Sequence, residues 1–445
     1  MNNENLPINL PTNMETKYTT PVQHATPVQY KSSTPVQYRK YKSACAVICE
    51  YDPFHSGHAY QLAQAREQSG CDYVVCIMSG SITQRGTLPV VDKYTRAKHA
   101  LQNGADLVVQ IPSVFSSANA QVFAQGAIKI VSQLKFVTHL SFGVESDNTL
   151  DLQKVANLLD NTEFGELVTK ASKFGVPYPV ALQHAMQEYY QDTPQTEFKL
   201  KPNAILAVEY LRAINQYCPQ VISVPIPRTN EFDSLELESP HSSASAIRKH
   251  LQDRDIINIQ KYLPYDIEDL NIKVDHNVYN AILVNHLKNT PLSKLKKVHS
   301  INEGLEYRLA TVAKKYSTLD NIIKYTKSKR YVHSRIKRAI LQNYLGITKE
   351  IIKKSTNKNT QVPFRILGIN STSTQILGLL PQSAIVKNTD IYSNRPDQIL
   401  STYYMDNFMD IFKEIVNRDV HADNLYCTCA NLDRDLYFGT PLIKV

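Results

Sequence analysis

Two histidines separated by two residues mark the segment of the chain that is richest in reactive groups. The segment reads Glu50-Tyr-Asp-Pro-Phe-His-Ser-Gly-His58, so His55 and His58 flank Gly57. A glycine lets the backbone approach a phosphate without an intervening side chain. Paired imidazoles can donate hydrogen bonds to phosphate oxygens and stabilise the charge that develops when an α-phosphate is attacked. The spacing therefore predicts a nucleotide site in which His55 and His58 are catalytic.

A second group of residues suited to phosphate lies far downstream, in Ser243-Ala-Ser-Ala-Ile-Arg248. Ser243 and Ser245 offer short hydroxyl side chains at a predicted helix start, and Arg248 follows one turn later. Such groups suit β- and γ-phosphate oxygens, although an ordinary capped helix has the same composition. Combined with the histidine segment, the pattern favours phosphate binding.

The elements that must position these groups are strands alternating with helices. The continuous apolar run at 44–49 is typical of a strand buried on both faces. Further strands are predicted at 73–78, 107–111, around 138–142 and at 221–226. The intervals show the spacing of helices. This alternation predicts an α/β fold with a doubly wound parallel sheet over residues 43–255. The histidine segment follows the first strand, at the sheet edge where such folds bind ligands.

The regions on either side of this domain differ from it in composition. Residues 1–42 repeat Thr-Pro-Val-Gln three times; proline at this density opposes helices and central strands, which predicts a disordered tail or, alternatively, a docking motif. Residues 256–445 are predicted to form a mainly helical, basic region. Between 281 and 360 there are 18 Lys plus Arg against 4 Asp plus Glu, a local net charge of +14 within a chain whose net charge is +8. This asymmetry favours a nucleic-acid partner over a generic surface.

The composition of the whole chain excludes several classes of protein. With 42% hydrophobic and 20% charged residues, the chain is not wholly disordered. It lacks the uncharged apolar run of roughly 18 residues that a membrane helix needs, so no membrane partner is expected. Seven cysteines at low density suit a reducing cytoplasm. The spacing in Cys427-Thr-Cys429 does not suit zinc, so no metal centre is predicted, and no pattern defines an oligomeric state.

Several further motifs occur in an order that resembles the bacterial tRNA(Met) cytidine acetate ligase family. His-x-Gly-His between a strand and a helix resembles the signature of the nucleotidyltransferase superfamily to which that family belongs. The resemblance extends from about Ala44 to at least residue 368, through the segments Cys45–His58, Met78–Gly86, Val91–Ala97, Gly104–Val108, Phe142–Glu145, Lys201–Asn203, Ile226–Arg228, Glu303–Arg308 and Lys327–Tyr331.

This resemblance implies a reaction in two steps. ATP and acetate give acetyl-adenylate and pyrophosphate, and the acetyl group then passes to N4 of the wobble cytidine of elongator tRNA(Met). ATP is thus a substrate, expected with Mg²⁺, and acetate is the co-substrate. The matching family motifs imply that ATP is bound by Ile48, Cys49, Glu50, Tyr51, Asp52, Pro53, Phe54, His55, Ser56, Gly57, His58, Ala59, Tyr60, Gln61, Gly143, Asn203 and Arg228. The downstream motif adds Ser243, Ser245 and Arg248 to the expected ATP-binding residues.

The basic segment supplies the predicted tRNA-binding residues. On one helix, positions 327, 330, 334, 337 and 338 would share a face along a phosphate path. The expected contacts are Lys327, Lys329, Arg330, Arg335, Lys337 and Arg338.

Two other functions remain open, namely a nucleotidyltransferase with a different acceptor and a non-catalytic tRNA-binding relative. Asp52 supports the second alternative, because it stands where the family usually has Asn and brings a negative charge near a triphosphate. The basic segment argues against a small acceptor, which needs no polyanion surface. Lys93 and Arg96, one turn apart, are interpreted either as contacts to phosphates or tRNA or as a solvated helix face.

Overall fold

The sheet predicted from the apolar runs is present. The computed structural model describes residues 42–145, 151–173, 176, 178–190, 201–228, 236–237, 242–253, 255–270, 272–386, 406–433, 440 and 442–445. The predicted tail over residues 1–42 lies outside these residues, apart from Lys42. The strands within them are β1 (Ala44–Cys49), β2 (Tyr73–Ser79), β3 (Leu107–Ile111), β4 (Val137–Glu145), β5 (Ile222–Arg228), β6 (Phe364–Ile369), β7 (Ala384–Ile385) and β8 (Ile443–Lys444).

The order of the strands is that of a doubly wound sheet. The main path runs β5-β4-β1-β2-β3-β6-β7, and β8 pairs with β6. Strands β1 to β5 are mutually parallel, which confirms the prediction for 44–49, 73–78 and 107–111. The chain order reverses between β1 and β4, and in such sheets ligands bind at the carboxyl ends of the strands at this point. The first strand delivers the histidine segment to that edge.

The C-terminal region contributes to the same sheet, which the apolar pattern did not predict. Strand β6 pairs antiparallel with β3, with Leu107 opposite Ile369. Its six residues are all buried. The boundary predicted between residues 255 and 256 stays a prediction.

Helices fill the intervals between the strands and make up most of the basic region. They are α1 (Ser56–Ser69), α2 (Lys93–Gln102), α3 (Ser113–Ser116), α4 (Ala120–Gln133), α5 (Leu152–Leu159), α6 (Thr162–Ser172), α7 (Tyr178–Tyr189), α8 (Pro202–Tyr217), α9 (Ala244–Gln252), α10 (Ile256–Gln260), α11 (His276–Asn289), α12 (Leu292–Leu295), α13 (Leu305–Lys315), α14 (Leu319–Thr326), α15 (His333–Leu345), α16 (Lys349–Ser355) and α17 (Asp406–Ala430), with 3₁₀ turns at Ile267–Leu270 and Ser371–Leu379. No helix in the described part of the chain has the length and apolar character that a membrane crossing requires.

The prediction of one continuous basic helix through residues 327–338 is wrong. Helix α14 ends at Thr326 with Lys327 as its C-cap, and α15 begins at His333. Arg308 donates hydrogen bonds to the carbonyl oxygens of Thr326 (2.7 Å) and Lys327 (3.3 Å), which satisfies the end of α14. Lys329 and Arg330 therefore lie in a connection rather than on a helix face.

Candidate active site

A cleft opens at the carboxyl ends of β1, β4 and β5. Its walls come from these strands, from the first turns of α1 and from one face of α8. The residues that line it are Ile48, Cys49, Glu50, His55, Gly57, His58, Tyr60, Gln61, Phe142, Gly143, Asn203, Leu206, Tyr210, Ile226, Pro227, Arg228 and Ser242. The site predicted from the strand order and the observed cleft thus coincide.

The two histidines form the N-terminal cap of α1. The Gly57 N–H donates to His55 Nδ1 over 3.1 Å, and the His55 N–H donates to His58 Nδ1 over 3.3 Å. The two rings stack with their centroids 3.6 Å apart. Because each Nδ1 accepts a backbone hydrogen, each neutral ring carries its own hydrogen on Nε2. The loop therefore fixes the tautomer in which both imidazoles donate through Nε2.

His58 is neutral at physiological pH. Its pKa is well below the ordinary value, first because the ring is buried and then because of electrostatic interactions with His55, Arg228 and Arg248. A neutral imidazole donates one hydrogen bond and remains able to do so throughout the physiological range. This state suits a donor aimed at a phosphate oxygen rather than a general acid.

We expect His58 to make the free energy of unfolding pH-dependent only in acid. Below about pH 6.5, the ordinary histidine pKa, the unfolded His58 binds a proton while the folded ring, with its lowered pKa, stays neutral. Stability should therefore decrease by roughly 1.4 kcal/mol per pH unit below that value, until the folded pKa is reached. The measurement is chemical denaturation of the wild type and His58→Gln over a range of pH.

The difference between the two proteins isolates this group. His99 and His299, whose pKa burial lowers to about 4 in each case, titrate in both proteins and cancel. A difference in unfolding free energy that stays constant between about pH 7 and 5 would contradict the assignment.

Some of the predicted ATP-binding residues do not line the cleft but hold the backbone of the histidine segment in place. Tyr51 and Phe54 are buried and pack edge to face, with ring centroids 4.8 Å apart. Tyr265 Oη donates to the Phe54 carbonyl oxygen over 2.6 Å, and the Ser56 N–H donates to the Tyr262 carbonyl oxygen over 2.8 Å. Within the described part of the chain, the predicted residues outside the cleft lining are Tyr51, Asp52, Pro53, Phe54, Ser56, Ala59, Ser243, Ser245 and Arg248.

The negative charge of Asp52 is opposed within the protein itself. Arg248 Nη1 lies 3.8 Å from Asp52 Oδ2 and also donates to the Asp52 carbonyl oxygen. The Val90 N–H donates to Asp52 Oδ1 over 2.7 Å. Arg248 Nη2 donates to Ser245 Oγ, while Ser243 Oγ caps α9 by accepting from the Ala246 N–H. The downstream motif thus places a cation beside the loop and neutralises the residue that departs from the family pattern.

The first turn of α8 brings an amide into the cleft. Asn203 and Ala204 donate their N–H groups to the carboxylate of Glu145, over 2.9 and 3.0 Å, so Glu145 holds the helix start. The Nδ2 atom of Asn203 is buried and has no hydrogen-bond partner among the described residues. A buried donor of this kind is costly unless it is satisfied. It is a candidate contact for a nucleotide.

Arg228 and Gly143 approach each other on the neighbouring strands β5 and β4. A Cβ atom at Gly143 would lie 3.2 Å from Arg228 Cγ, so a larger residue would displace the arginine. Sequence reasoning identified both residues but missed others that line the cleft. Leu206 and Tyr210 follow Asn203 at helical spacing, which is the signal that could have identified them.

Lys93 and Arg96 contact neither solvent nor the cleft, so both interpretations of this pair are wrong. Both side chains are fully buried. Arg96 donates to the carbonyl oxygens of Glu50 (2.6 Å), Ser79 (3.0 Å), Gly80 (2.5 Å) and Val91 (2.9 Å). It therefore ties together the carboxyl ends of β1 and β2.

Among the residues that the structure describes, Glu50 has the only acidic side chain that lines the cleft. It accepts from the Gln84 N–H over 2.7 Å and from Ser79 Oγ over 3.2 Å, and burial raises the pKa of its carboxyl. The described residues contain no cluster of three His, Cys, Asp or Glu that could hold a metal. Mg²⁺ bound with a nucleotide takes most of its ligands from phosphates and water, and one or two carboxylates suffice. Glu50 fits that limited role.

Comparison with known proteins gives consistent matches over most of the chain. The HIGH Nucleotidyl Transferase family matches residues 42–436. The tRNA(Met) cytidine acetate ligase of Clostridium novyi is 32% identical over 86% of this chain and 97% of its own length. That of Thermotoga maritima is 31% identical over 85% of this chain and 93% of its own.

Solved structures agree with the sequence matches. The apo structure of Thermotoga maritima TmcAL superposes with a TM-score of 0.83 at 28% identity, covering 91% of this chain and 99% of that chain. The structure of TmcAL bound with alpha-thio ATP gives a TM-score of 0.80 at the same identity, covering 91% of this chain and 100% of that chain.

Proposed function

The chain belongs to the tRNA(Met) cytidine acetate ligases of the HIGH nucleotidyltransferase family, and from this premise we propose that it is an ATP-dependent ligase that acetylates N4 of the wobble cytidine of elongator tRNA(Met). The observation that carries the proposal is the pair of Nε2–H donors, His55 and His58, in a cleft at the switch point of the sheet. A relative with the same fold binds an ATP analogue.

In the first step an acetate oxygen attacks the α-phosphorus of ATP. The bond from that phosphorus to the bridging oxygen breaks, and pyrophosphate leaves with the electron pair. We propose that His55 and His58 donate through Nε2 to the phosphate oxygens on which charge develops. Arg228 supplies a cation at the same cleft, and Asn203 Nδ2 binds the nucleotide. Mg²⁺, held by the phosphates with help from Glu50, would supply further charge neutralisation when bound.

In the second step the N4 amine of the cytidine attacks the acetyl carbonyl carbon. The amide C–N bond forms, the mixed anhydride breaks, and AMP leaves while the amine loses a proton. The anhydride is already activated, so the protein needs no acyl-carrying thiol. All seven cysteines are free thiols, and six of them are buried and outside the cleft lining. Free thiols also support the cytoplasm, where tRNA and ATP are found, as the location of the reaction.

Two assays test the proposal and separate it from its rivals. Labelled pyrophosphate should exchange into ATP only when acetate is present, and tRNA nucleosides from cells lacking the gene should have lost N4-acetylcytidine. Acetate-dependent exchange with unchanged tRNA nucleosides would indicate another acceptor. RNA binding without exchange would indicate a non-catalytic relative. The support for that alternative was the negative charge of Asp52, and the ion pair with Arg248 opposes this charge.

We propose that tRNA contacts the exposed connection between α14 and α15. Lys327, Lys329 and Arg330 are exposed there, and Lys337 is partly exposed on α15. Arg335 is held in an ion pair with Glu303 at 3.0 Å. Arg338 is partly exposed as well, and burial together with Arg335 lowers its pKa to about 10. The three exposed residues of the connection are therefore the main contacts in this proposal.

This connection is joined to the rim of the cleft. Gly86 has φ +76°, and a Cβ there would lie 2.7 Å from the backbone nitrogen of Arg338. Arg338 Nη1 also donates a hydrogen bond to the Gln84 carbonyl oxygen over 3.4 Å. The Gln84 N–H in turn donates to the carboxylate of Glu50. The basic helix α15 thus packs on the loop that supports the cleft, which suits delivery of a tRNA base to it.

Replacing Lys327, Lys329 and Arg330 together by Gln should weaken tRNA binding and leave adenylate formation intact. Each lost phosphate contact should reduce the slope of log K against log salt by about 0.7–0.9. Acetate-dependent pyrophosphate exchange should persist, because ATP and acetate bind in the cleft. The measurements are tRNA affinity at several salt concentrations and the exchange rate.

A matched control removes the same charge from another surface. Lys154 is exposed on α5, Lys170 on α6 and Lys173 at the C-cap of α6. Their joint replacement by Gln should leave the slope of log K against log salt unchanged. Equal loss of affinity in the two triple variants would place the tRNA surface elsewhere.

A further inference from the structure

Two tyrosines stack face to face on the surface of the basic region. The rings of Tyr316 and Tyr325 are 4.2 Å apart at their centroids and inclined by only 7°. Tyr316 is the C-cap of α13, and Tyr325 lies in the last turn of α14. Tyr325 is 45% exposed and Tyr316 is partly exposed. Exposed apolar surface that is rimmed by polar or charged groups marks a candidate binding site.

Positive charge surrounds this pair. Lys324 Nζ lies 5.6 Å from the centroid of the Tyr325 ring, and Lys314 and Lys315 are exposed at the end of α13. Lys288 Nζ lies 3.4 Å from Ser317 Oγ, next to Tyr316 in the chain. Aromatic faces among cations are the combination that binds unpaired nucleotides, because bases stack on the rings while the cations neutralise phosphates.

The pair is continuous with the surface proposed to bind tRNA. Arg308 Nη2 donates to the Tyr325 carbonyl oxygen over 3.0 Å and to that of Lys327 over 3.3 Å, so it ties the stacked pair to the basic connection. That connection leads into α15, which packs on the loop at the cleft rim. A nucleic acid lying along this path would reach the tyrosines and the cleft together.

We propose that Tyr316 and Tyr325 form a stacking platform for an unpaired nucleotide of the RNA substrate. The proposal rests on the function proposed above, and it adds a second point of recognition on the basic region. Phosphate contacts alone do not distinguish paired from unpaired RNA, whereas a stacking platform does, since only an unpaired base can leave its helix to cover a ring.

The experiment compares an RNA hairpin that has an unpaired loop with a blunt RNA duplex of equal nucleotide number. Replacing Tyr316 and Tyr325 together by Leu should raise the Kd for the hairpin about tenfold and that for the duplex by less than about twofold. The double Tyr→Phe variant keeps both rings and should bind both RNAs as the wild type does. Tyr189→Leu, at an exposed tyrosine of α7, is the matched control.

An unchanged hairpin affinity, or an equal loss for both RNAs, would overturn the proposal. Photo-cross-linking of the wild type to a hairpin with 4-thiouridine in its loop gives a test that does not depend on folding of the variants. A cross-link at Tyr316 or Tyr325 supports the platform, and cross-links confined to other surfaces overturn it. Acetate-dependent pyrophosphate exchange without RNA tests the proposed function separately, so the two failures are distinguishable.

Discussion

Replacement of His58 by Ala is expected to lower the rate of acetyl-adenylate formation about 10²–10³-fold, the usual loss for one donor to a developing charge. The His58 ring lines the cleft, and its Nδ1 is occupied by the His55 N–H, which directs the Nε2 hydrogen elsewhere. Without that hydrogen the α-phosphate loses a donor at the moment of attack. The measurement is acetate-dependent exchange of pyrophosphate into ATP at saturating ATP.

His55→Ala should have a similar effect on rate and an additional effect on stability. His55 also caps α1 through the Gly57 N–H, and loss of a cap costs about 1 kcal/mol. His184 is exposed on α7, and His184→Ala is the control that should change neither quantity. Exchange by the His58 variant within about threefold of the wild type would contradict the catalytic assignment.

Replacement of Asp423 by Ala is expected to destabilise the fold by about 3–5 kcal/mol, because it leaves two buried cations without their negatively charged partner. Asp423 accepts from Lys93 Nζ at 2.8 Å, from Arg365 Nη1 at 2.6 Å and from Ser81 Oγ at 2.6 Å, and all three partners are buried. Burial opposes its charge, yet Lys93 and Arg365 hold the pKa of its carboxyl below the ordinary value. The measurement is the free energy of unfolding in urea.

Two matched variants identify the cause of that loss. Glu350→Ala breaks the exposed pair between Glu350 and Lys354 and should cost little stability, because solvent screens both charges. The triple variant Lys93→Met, Arg365→Met and Asp423→Leu removes these three buried charges together and should recover much of the stability. A loss for Asp423→Ala as small as that for Glu350→Ala would show that the cluster does not hold α17 in place.

The same cluster links the C-terminal helix to the site. Asp423 lies in α17, Lys93 in α2 and Arg365 in β6, while Ser81 belongs to the loop after β2. That loop continues to Gln84, whose N–H binds Glu50 in the cleft. A fold weakened at Asp423 should therefore also bind ATP less tightly, even though no member of the cluster lines the cleft.

Local sequence was sufficient to predict the parallel strands and the position of the histidine loop. A strand buried on both faces is apolar over most of its length, and 44–49 and 73–78 show this run without help from distant residues. The loop that follows the first strand must then lie at the ligand-binding edge. His55 and His58 could be placed in the cleft by this reasoning alone, together with Gly57.

Only the tertiary structure decided the roles of the charged residues. Lys93 and Arg96 have the spacing of a solvated helix face, but their partners include Asp423, 330 positions away from Lys93 in the chain, and the carbonyl groups at the ends of two strands. Residues 327–338 have helical spacing, yet α14 ends at Thr326, where Arg308 binds its last carbonyl groups. Burial of apolar residues is periodic along the chain and can be predicted from it, whereas the partner of a buried charge is chosen by distant segments that meet only after folding.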